Sequence, residues 1–227
     1  MMLINVIKYY RQNGFLRFLK RFLDGLGFKY FNRALIFLQL DLGNALNNFN
    51  DESYDFLMPT KEDIEKEQKY NDYWFRKEDA IYRLQNGHRL FVLKENGRIV
   101  FFLWAEKKQS TISWFDLHMH IPQDMIYITG VYTIPEFRNR GIAYKLKREI
   151  FHYLKKEGIK NLIEVVDPSN ATALKMDKKI GFREYQIVYY KRYWFIRCFC
   201  VRKHRSNQQR TFISVFKTPE IIWKAFL

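Results

Sequence analysis

The chain has 227 residues, 48% hydrophobic and 28% charged, with 10 glycines and 5 prolines. That composition fits a globular domain with a real core and excludes a disordered, collagen-like or low-complexity chain. No run of about 18 apolar residues occurs, which excludes a bilayer-spanning helix. Two cysteines, Cys198 and Cys200, are too few for a disulfide framework or a four-ligand zinc site. The net charge of +15 sits at the ends: residues 1–40 carry seven Lys/Arg against Asp24, residues 188–227 carry nine against Glu220, and the middle is close to neutral.

Residues 1–12 lack the apolar stretch and cleavage site of a signal peptide, so a reduced, cytoplasmic protein is expected. Phe15, Leu16, Phe18, Leu19, Phe22 and Leu23 recur at helical spacing opposite Arg17, Lys20, Arg21 and Asp24. This predicts an amphipathic helix stopped by Gly25 and Gly27. Such a helix either docks on its own domain or lies weakly on an anionic membrane through residues 1–30, at the inner face. ALIFLQLDL (34–42) reads as a buried strand. A loop from Asn47 to Thr60 leads into the polar helix KEDIEKEQKYN, and a second short helix is expected over 76–86.

Two apolar runs around Asn96-Gly97 predict a hairpin. Residues 110–117 extend it or add a strand, and MIYITGVYT (125–133) is another strand. Gly141 opens a helix whose apolar face holds Ile142, Leu146, Ile150, Phe151 and Leu154, and Gly158 closes it. NLIEVVD (161–167) is a strand, a helix runs from Pro168-Ser169 to Gly181, and two strands follow. From His204 the tail is polar, and Thr218-Pro219 opens a last short helix. The aromatic, basic stretch YYKRYWFIRCFC is read as sheet core, so no nucleic acid partner is expected. The central strand–helix–strand unit requires a parallel pair, and the hairpins add antiparallel neighbours. The fold class is therefore α/β, strictly α+β, with a mixed sheet flanked by helices.

The chemistry concentrates in ITGVYTIPEFRNRGIAYKLKREIF. A strand runs through a proline turn into Arg138-Asn139-Arg140-Gly141-Ile142-Ala143 and then a helix. Free N–H groups and the helix dipole face outward at such a start, Gly141 and Ala143 remove bulk, and Arg138 and Arg140 add charge. These are the parts of a phosphate cradle; the other reading is an ordinary strand–helix turn with solvated arginines. Neither a P-loop nor a G-x-G-x-x-G fingerprint is present.

RNRGIA resembles the R/Q-x-x-G-x-G/A signature of the GNAT N-acetyltransferase superfamily, and TIPEF resembles the segment that precedes it. Asn170, Ala173, Lys179, Gly181 and Phe182 resemble the family's N-x-x-A…K-x-G-F segment. The resemblance implies a centrally splayed sheet over residues 33–203, with a basic amphipathic extension at 1–32 and a basic tail at 204–227. It implies an acetyl-coenzyme A site: Val131 and Thr133 pairing with the pantetheine arm, the backbone of Arg138, Asn139, Arg140, Gly141, Ile142 and Ala143 on the pyrophosphate, and Asn170 on the pantetheine, unless Asn170 is simply a helix cap. It implies transfer to an amine by direct attack, with the Val131 amide on the developing oxyanion. No covalent intermediate on either cysteine and no metal are expected.

Many members of the superfamily carry a tyrosine acid where this chain has Asp177. An aspartate is a poor acid at neutral pH, and Asp177 is expected to be solvated. Tyr185 and Tyr189 are the candidate substitutes for the acid, or else core or surface packing residues. Glu164 alternates with Leu162 and Val166 and is the candidate base, or else a buried ion-paired carboxylate. Glu106, His118 and His120 are weaker candidates. The acceptor is open among a small amine, a peptide amine, an amino sugar and an envelope precursor. The competing reading is a catalytically silent binding module of the same fold.

Overall fold

A computed structural model describes residues 30–45, 55–66, 75–112, 117–193, 196–203, 209–215 and 220–222. The amphipathic segment at 15–24 lies outside the described residues.

The main sheet has eight strands: β1 (Tyr30–Asp41), β2 (Arg89–Glu95), β3 (Arg98–Glu106), β6 (Met125–Thr133), β7 (Asn161–Val166), β8 (Arg183–Tyr193), β9 (Ile196–Lys203) and β10 (Gln209–Val215). Their spatial order is β10-β9-β8-β1-β7-β6-β3-β2. The predicted strand at 34–42 is the middle of this sheet, antiparallel to β7 on one side and β8 on the other. Its apolar run is continuous because both faces are covered: Leu35 and Phe37 join one core cluster, and Leu38 and Leu40 join another. Pairing β6 with β7 is parallel, as the intervening helix requires.

That helix, α4 (Ile142–Lys156), and α5 (Ala171–Ile180) cover one face, burying Leu146, Ile150, Phe151 and Leu154 against Ile126, Ile128 and Leu162. Short α1 (Leu42–Ala45) follows β1. The other face is covered at the β2–β3 end by α2 (Lys61–Lys66) and α3 (Lys77–Gln85), through Ile64 and Ala80.

Residues 110–117 do not extend the hairpin. They contribute β4 (Gln109–Ile112) and β5 (Leu117–His120), which form a separate three-stranded sheet whose Ile112, Leu117 and Met119 pack under β1 and β8. The expected helix after Thr218-Pro219 is instead β11 (Glu220–Ile222), parallel to β5. Two isoleucines suit a strand, and the open edge of β5 supplies ready backbone partners. Within the expected polar tail, residues 209–215 pair with β9.

Candidate functional site

β6 and β7 pair from Met125↔Asn161 to Ile128↔Glu164 and no further, although the strands continue to Thr133 and Val166. Past that point they diverge. The cause is local to β6. Opposite β3 the register runs Phe102↔Tyr132 and then Trp104↔Thr129, so one extra residue is accommodated in β6 as a bulge. Gly130 sits there with φ +57, and a Cβ on it would meet Trp104 Cδ1 at 3.0 Å. The splay opens a cleft of about 1090 Å³.

The cleft is lined by Val131, Thr133, Arg138, Asn139, Gly141, Ile142, Ala143, Glu164 and Asn170. All were predicted from the sequence. Arg140 is not part of the lining: its guanidinium lies over the Phe137 ring, 4.8 Å from the centroid. After β6 a 3-10 turn (Pro135–Phe137) leads to Asn139 at φ +61 and Gly141 at φ +75. Gly141 caps α4 with no side-chain hydrogen bond, and the first intrahelical bond is Lys145 N–H to Gly141 O, 3.0 Å. The N–H groups of Ile142 and Ala143 precede it and have no carbonyl one turn back. The Arg138 amide is already committed to Pro135 O at 3.1 Å, unlike the free donor expected for it. The Arg138 side chain is held by Nε to Thr133 O, 2.9 Å, and stacks over Tyr132. A Cβ on Gly141 would meet nothing within 4 Å. Its value is therefore the left-handed backbone, and the space above it belongs to the cleft.

Asn170 is the N-cap of α5, its Oδ1 accepting from Ala173 N–H at 3.1 Å. It also lines the cleft.

Glu164 is buried, and Lys147 Nζ donates to its Oε2 at 2.6 Å. The same ammonium donates to Asp177 Oδ1, also at 2.6 Å. The expectation of a solvated Asp177 is wrong. α5 turns it into the interior, where it is fully buried beside Lys147, itself 0% exposed. Lys147 also lies 5.7 Å and 5.4 Å from the ring centres of Phe151 and Phe182. Burial pushes Glu164 up to about 7; the Lys147 charge opposes this, and Asp177 reinforces it. Burial works against the Lys147 ammonium, but the two carboxylates outweigh it and hold the lysine above its ordinary value. Both directions follow from one buried ammonium in contact with two buried carboxyl groups. Lys147 was missed in the sequence, although it stands four residues before Phe151 and seven before Leu154, on the apolar stripe of α4.

The remaining candidates fall away from the cleft. Tyr185 packs into the cluster on the opposite face, where burial raises its hydroxyl, and Tyr189 is absent from the lining. Glu106 is buried and paired with Arg83 at 3.1 Å. His118 and His120 are exposed, and His118 Nδ1 lies 2.9 Å from Thr111 Oγ1. Cys198 and Cys200 are half-buried and are not joined in a disulfide. Beyond Glu164, the cleft continues between β3 and α3, with Phe75, Phe102, Trp104 and Tyr132 on its wall and Asp79 and Arg83 beside them.

A sequence model described as the acetyltransferase (GNAT) family matches residues 50–182. Two curated relatives, the aminoglycoside N(6')-acetyltransferases type 1 of Salmonella typhimurium and Salmonella enteritidis, are each 23% identical over 69 residues, 30% of this chain and 48% of theirs. The chain thus spans about half the length of the curated relatives it matches. Among solved structures, a GNAT-family protein of Novosphingobium aromaticivorans superposes with TM-score 0.50 at 16% identity, covering 70% of this chain and 65% of that one. A Drosophila protein gives TM-score 0.50 at 12% identity, covering 80% and 58%. Likeness at these identities concerns the fold.

Proposed function

Because the chain belongs to the acetyltransferase (GNAT) family, we propose that it moves an acetyl group from acetyl-coenzyme A to the amine of a small acceptor. The observation that carries this reading is the splay of β6 from β7 directly beside an uncapped helix start. The residues present suit the donor. Asn139 to Ala143 offer backbone N–H groups and the positive end of α4 to a pyrophosphate. The edge of β6 at Val131 and Thr133 offers backbone partners to a pantetheine amide chain, and the Asn170 Nδ2 group is a further donor. Acetyl-coenzyme A supplies the activated thioester.

In this reading Glu164 removes a proton from the acceptor ammonium. The neutral nitrogen then forms the C–N bond as the C–S bond breaks. The Val131 N–H donates to the thioester oxygen as charge gathers on it. A carboxyl group poised near neutrality suits the task, because it is ionised often enough to act and basic enough to hold the proton. Coenzyme A departs as a thiolate, a fair leaving group without a strong acid, and takes up the second proton as the new amide nitrogen sheds it.

An amino sugar heads the acceptor panel, since the curated relatives are aminoglycoside acetyltransferases. The aromatic wall of Phe75, Phe102, Trp104 and Tyr132 offers ring faces for the apolar side of a sugar. Small amines and amino-bearing envelope precursors complete the panel. The test is release of free thiol from acetyl-coenzyme A with each amine. One observation favours a second reading, a silent binding module. The position where many members of the superfamily carry tyrosine holds the ion-paired, buried Asp177, and neither Tyr185 nor Tyr189 lines the cleft. Tight coenzyme A binding with no thiol release from any amine would establish that reading instead.

A further inference from the structure

Three ionisable side chains from three elements meet at the floor of the splay: Lys147 from α4, Glu164 from β7 and Asp177 from α5. We propose that Lys147 and Asp177 are positioning residues for Glu164, and that the three work as one proton-holding unit that opens to the cleft through Glu164. This rests on the reading of Glu164 as the base.

A buried salt bridge that merely fastens helices to a sheet needs one carboxylate for each ammonium. Here there are two, each 2.6 Å from the same Nζ. With all three groups ionised the unit carries one negative charge. Among the described residues, the groups around it supply no second cation. On β1 the residue opposite Glu164 is Leu38, and on β6 it is Ile128. The nearby Tyr127 contributes a buried phenol, and α4 and α5 contribute only Lys147 and Asp177 at this point, with the rings of Phe151 and Phe182. Asp177 Oδ2 is buried with no hydrogen-bond donor among the described residues. The unit is therefore short by one proton, the condition in which paired carboxyls share one.

Access is equally asymmetric. The side chains of Lys147 and Asp177 are 0% exposed, whereas that of Glu164 is 9% exposed and lines the cleft. A proton entering from an ammonium in the cleft must therefore arrive on Glu164. The N–H bond of the ammonium breaks, an O–H bond forms on Glu164, and the unit passes from net negative to neutral. The proton leaves to water before the next turnover. Lys147 holds one carboxylate oxygen in place throughout. Asp177 supplies the negative charge that makes Glu164 basic enough to accept.

The two neighbours push Glu164 in opposite directions, which no loss of packing imitates. The full-length protein is titrated by carboxyl carbon NMR, with Glu164 assigned by difference from Glu164→Gln. Asp177→Asn should move the Glu164 midpoint to lower pH by at least half a unit. Lys147→Met should move it to higher pH by a similar amount. Unmoved midpoints, or shifts of the same sign, overturn the proposal. If Lys147→Met does not fold, Lys147→Arg takes its place, keeps the charge and should leave the midpoint near wild type, so that the downward shift in Asp177→Asn decides. The acidic limb of kcat/KM, measured with acetyl-coenzyme A and a diamino sugar, should shift in the same directions. A Glu164→Gln variant that keeps both rate and limb removes the base reading itself. If Glu164→Gln loses the limb while the neighbour variants leave it in place, the base reading stands and the proton-holding unit is overturned. NMR shifts without matching movement of the limb also overturn the catalytic role of the unit.

Discussion

Gly141 shows how much one residue does at the proposed phosphate cradle. Its φ of +75 is a region that costs an ordinary L-residue about 1–2 kcal/mol, and Asn tolerates it better than most. The space where a Cβ would stand is open cleft. Gly141→Asn should therefore fold and weaken coenzyme A binding moderately. Gly141→Asp places a like charge beside the pyrophosphate and should weaken it at least tenfold, about 1.4 kcal/mol. Calorimetry on both variants, with the melting temperature as a folding control, checks the order. Equal affinity in all three proteins would remove the anion from this loop. The loop residues were legible in the sequence because their signal is local: a glycine, a small residue and a helix start within six positions. The Lys147–Glu164–Asp177 contact was not. Its members lie 17 and 30 residues from the lysine; Lys147 and Asp177, taken alone, read as charged residues that belong in water, and the reading of Glu164 as a paired, buried carboxylate named no partner. A lysine on the apolar stripe of α4 was the available sign that a partner waits on another element.

At the scale of elements, periodicity and turn chemistry carried most of the architecture. The Asn96-Gly97 hairpin, the glycine-bounded helix α4 and the strand NLIEVV all stand near their predicted bounds, because each is set by residues adjacent in sequence. The bulge in β6 escaped detection: it follows from the close approach of Trp104 to Gly130, a cross-strand fact. The tail strands escaped for the same reason, since β10 and β11 exist through partners elsewhere in the chain. The start of α5 allows its two roles to be separated. Asn170→Asp keeps an acceptor for the Ala173 N–H and so keeps the cap, whereas Asn170→Ala loses it, at a cost of about 1 kcal/mol. Both remove the Nδ2 donor. If Asn170 also holds the ligand, Asn170→Asp should melt like wild type yet bind coenzyme A more weakly. Unchanged affinity in Asn170→Asp would leave capping as its whole contribution.

At the scale of the molecule, the family match begins at residue 50, yet the sheet is joined at its centre by β1, which comes earlier. β1 bridges β7 and β8, so the N-terminal region continues directly into the middle of the fold. The charge at the ends remains the feature that the cleft does not use. No helix among the described residues is long and apolar enough to cross a membrane. A surface contact through residues 1–30 requires none. Arg17, Lys20 and Arg21 stand opposite Phe15, Leu19 and Phe22 on a helical projection, and each basic residue near an anionic surface contributes about 1 kcal/mol. The full-length protein should therefore sediment with phosphatidylserine-containing vesicles at low salt and much less with pure phosphatidylcholine. Changing Arg17, Lys20 and Arg21 together to Gln should weaken that binding by about a hundredfold, the equivalent of roughly 3 kcal/mol. Moderate salt should weaken it as well, because exposed charges are screened over about 10 Å at 0.1 M. If the variant sediments like wild type, the affinity lies elsewhere, with the basic C-terminal segment the next place to neutralise. Failure of either protein to sediment points to a helix packed on its own domain. Phe15→Ala, Leu19→Ala and Phe22→Ala should then each lower stability, by about 1.5–3 kcal/mol per fully buried side chain, whereas a helix standing free in solution would lose almost nothing.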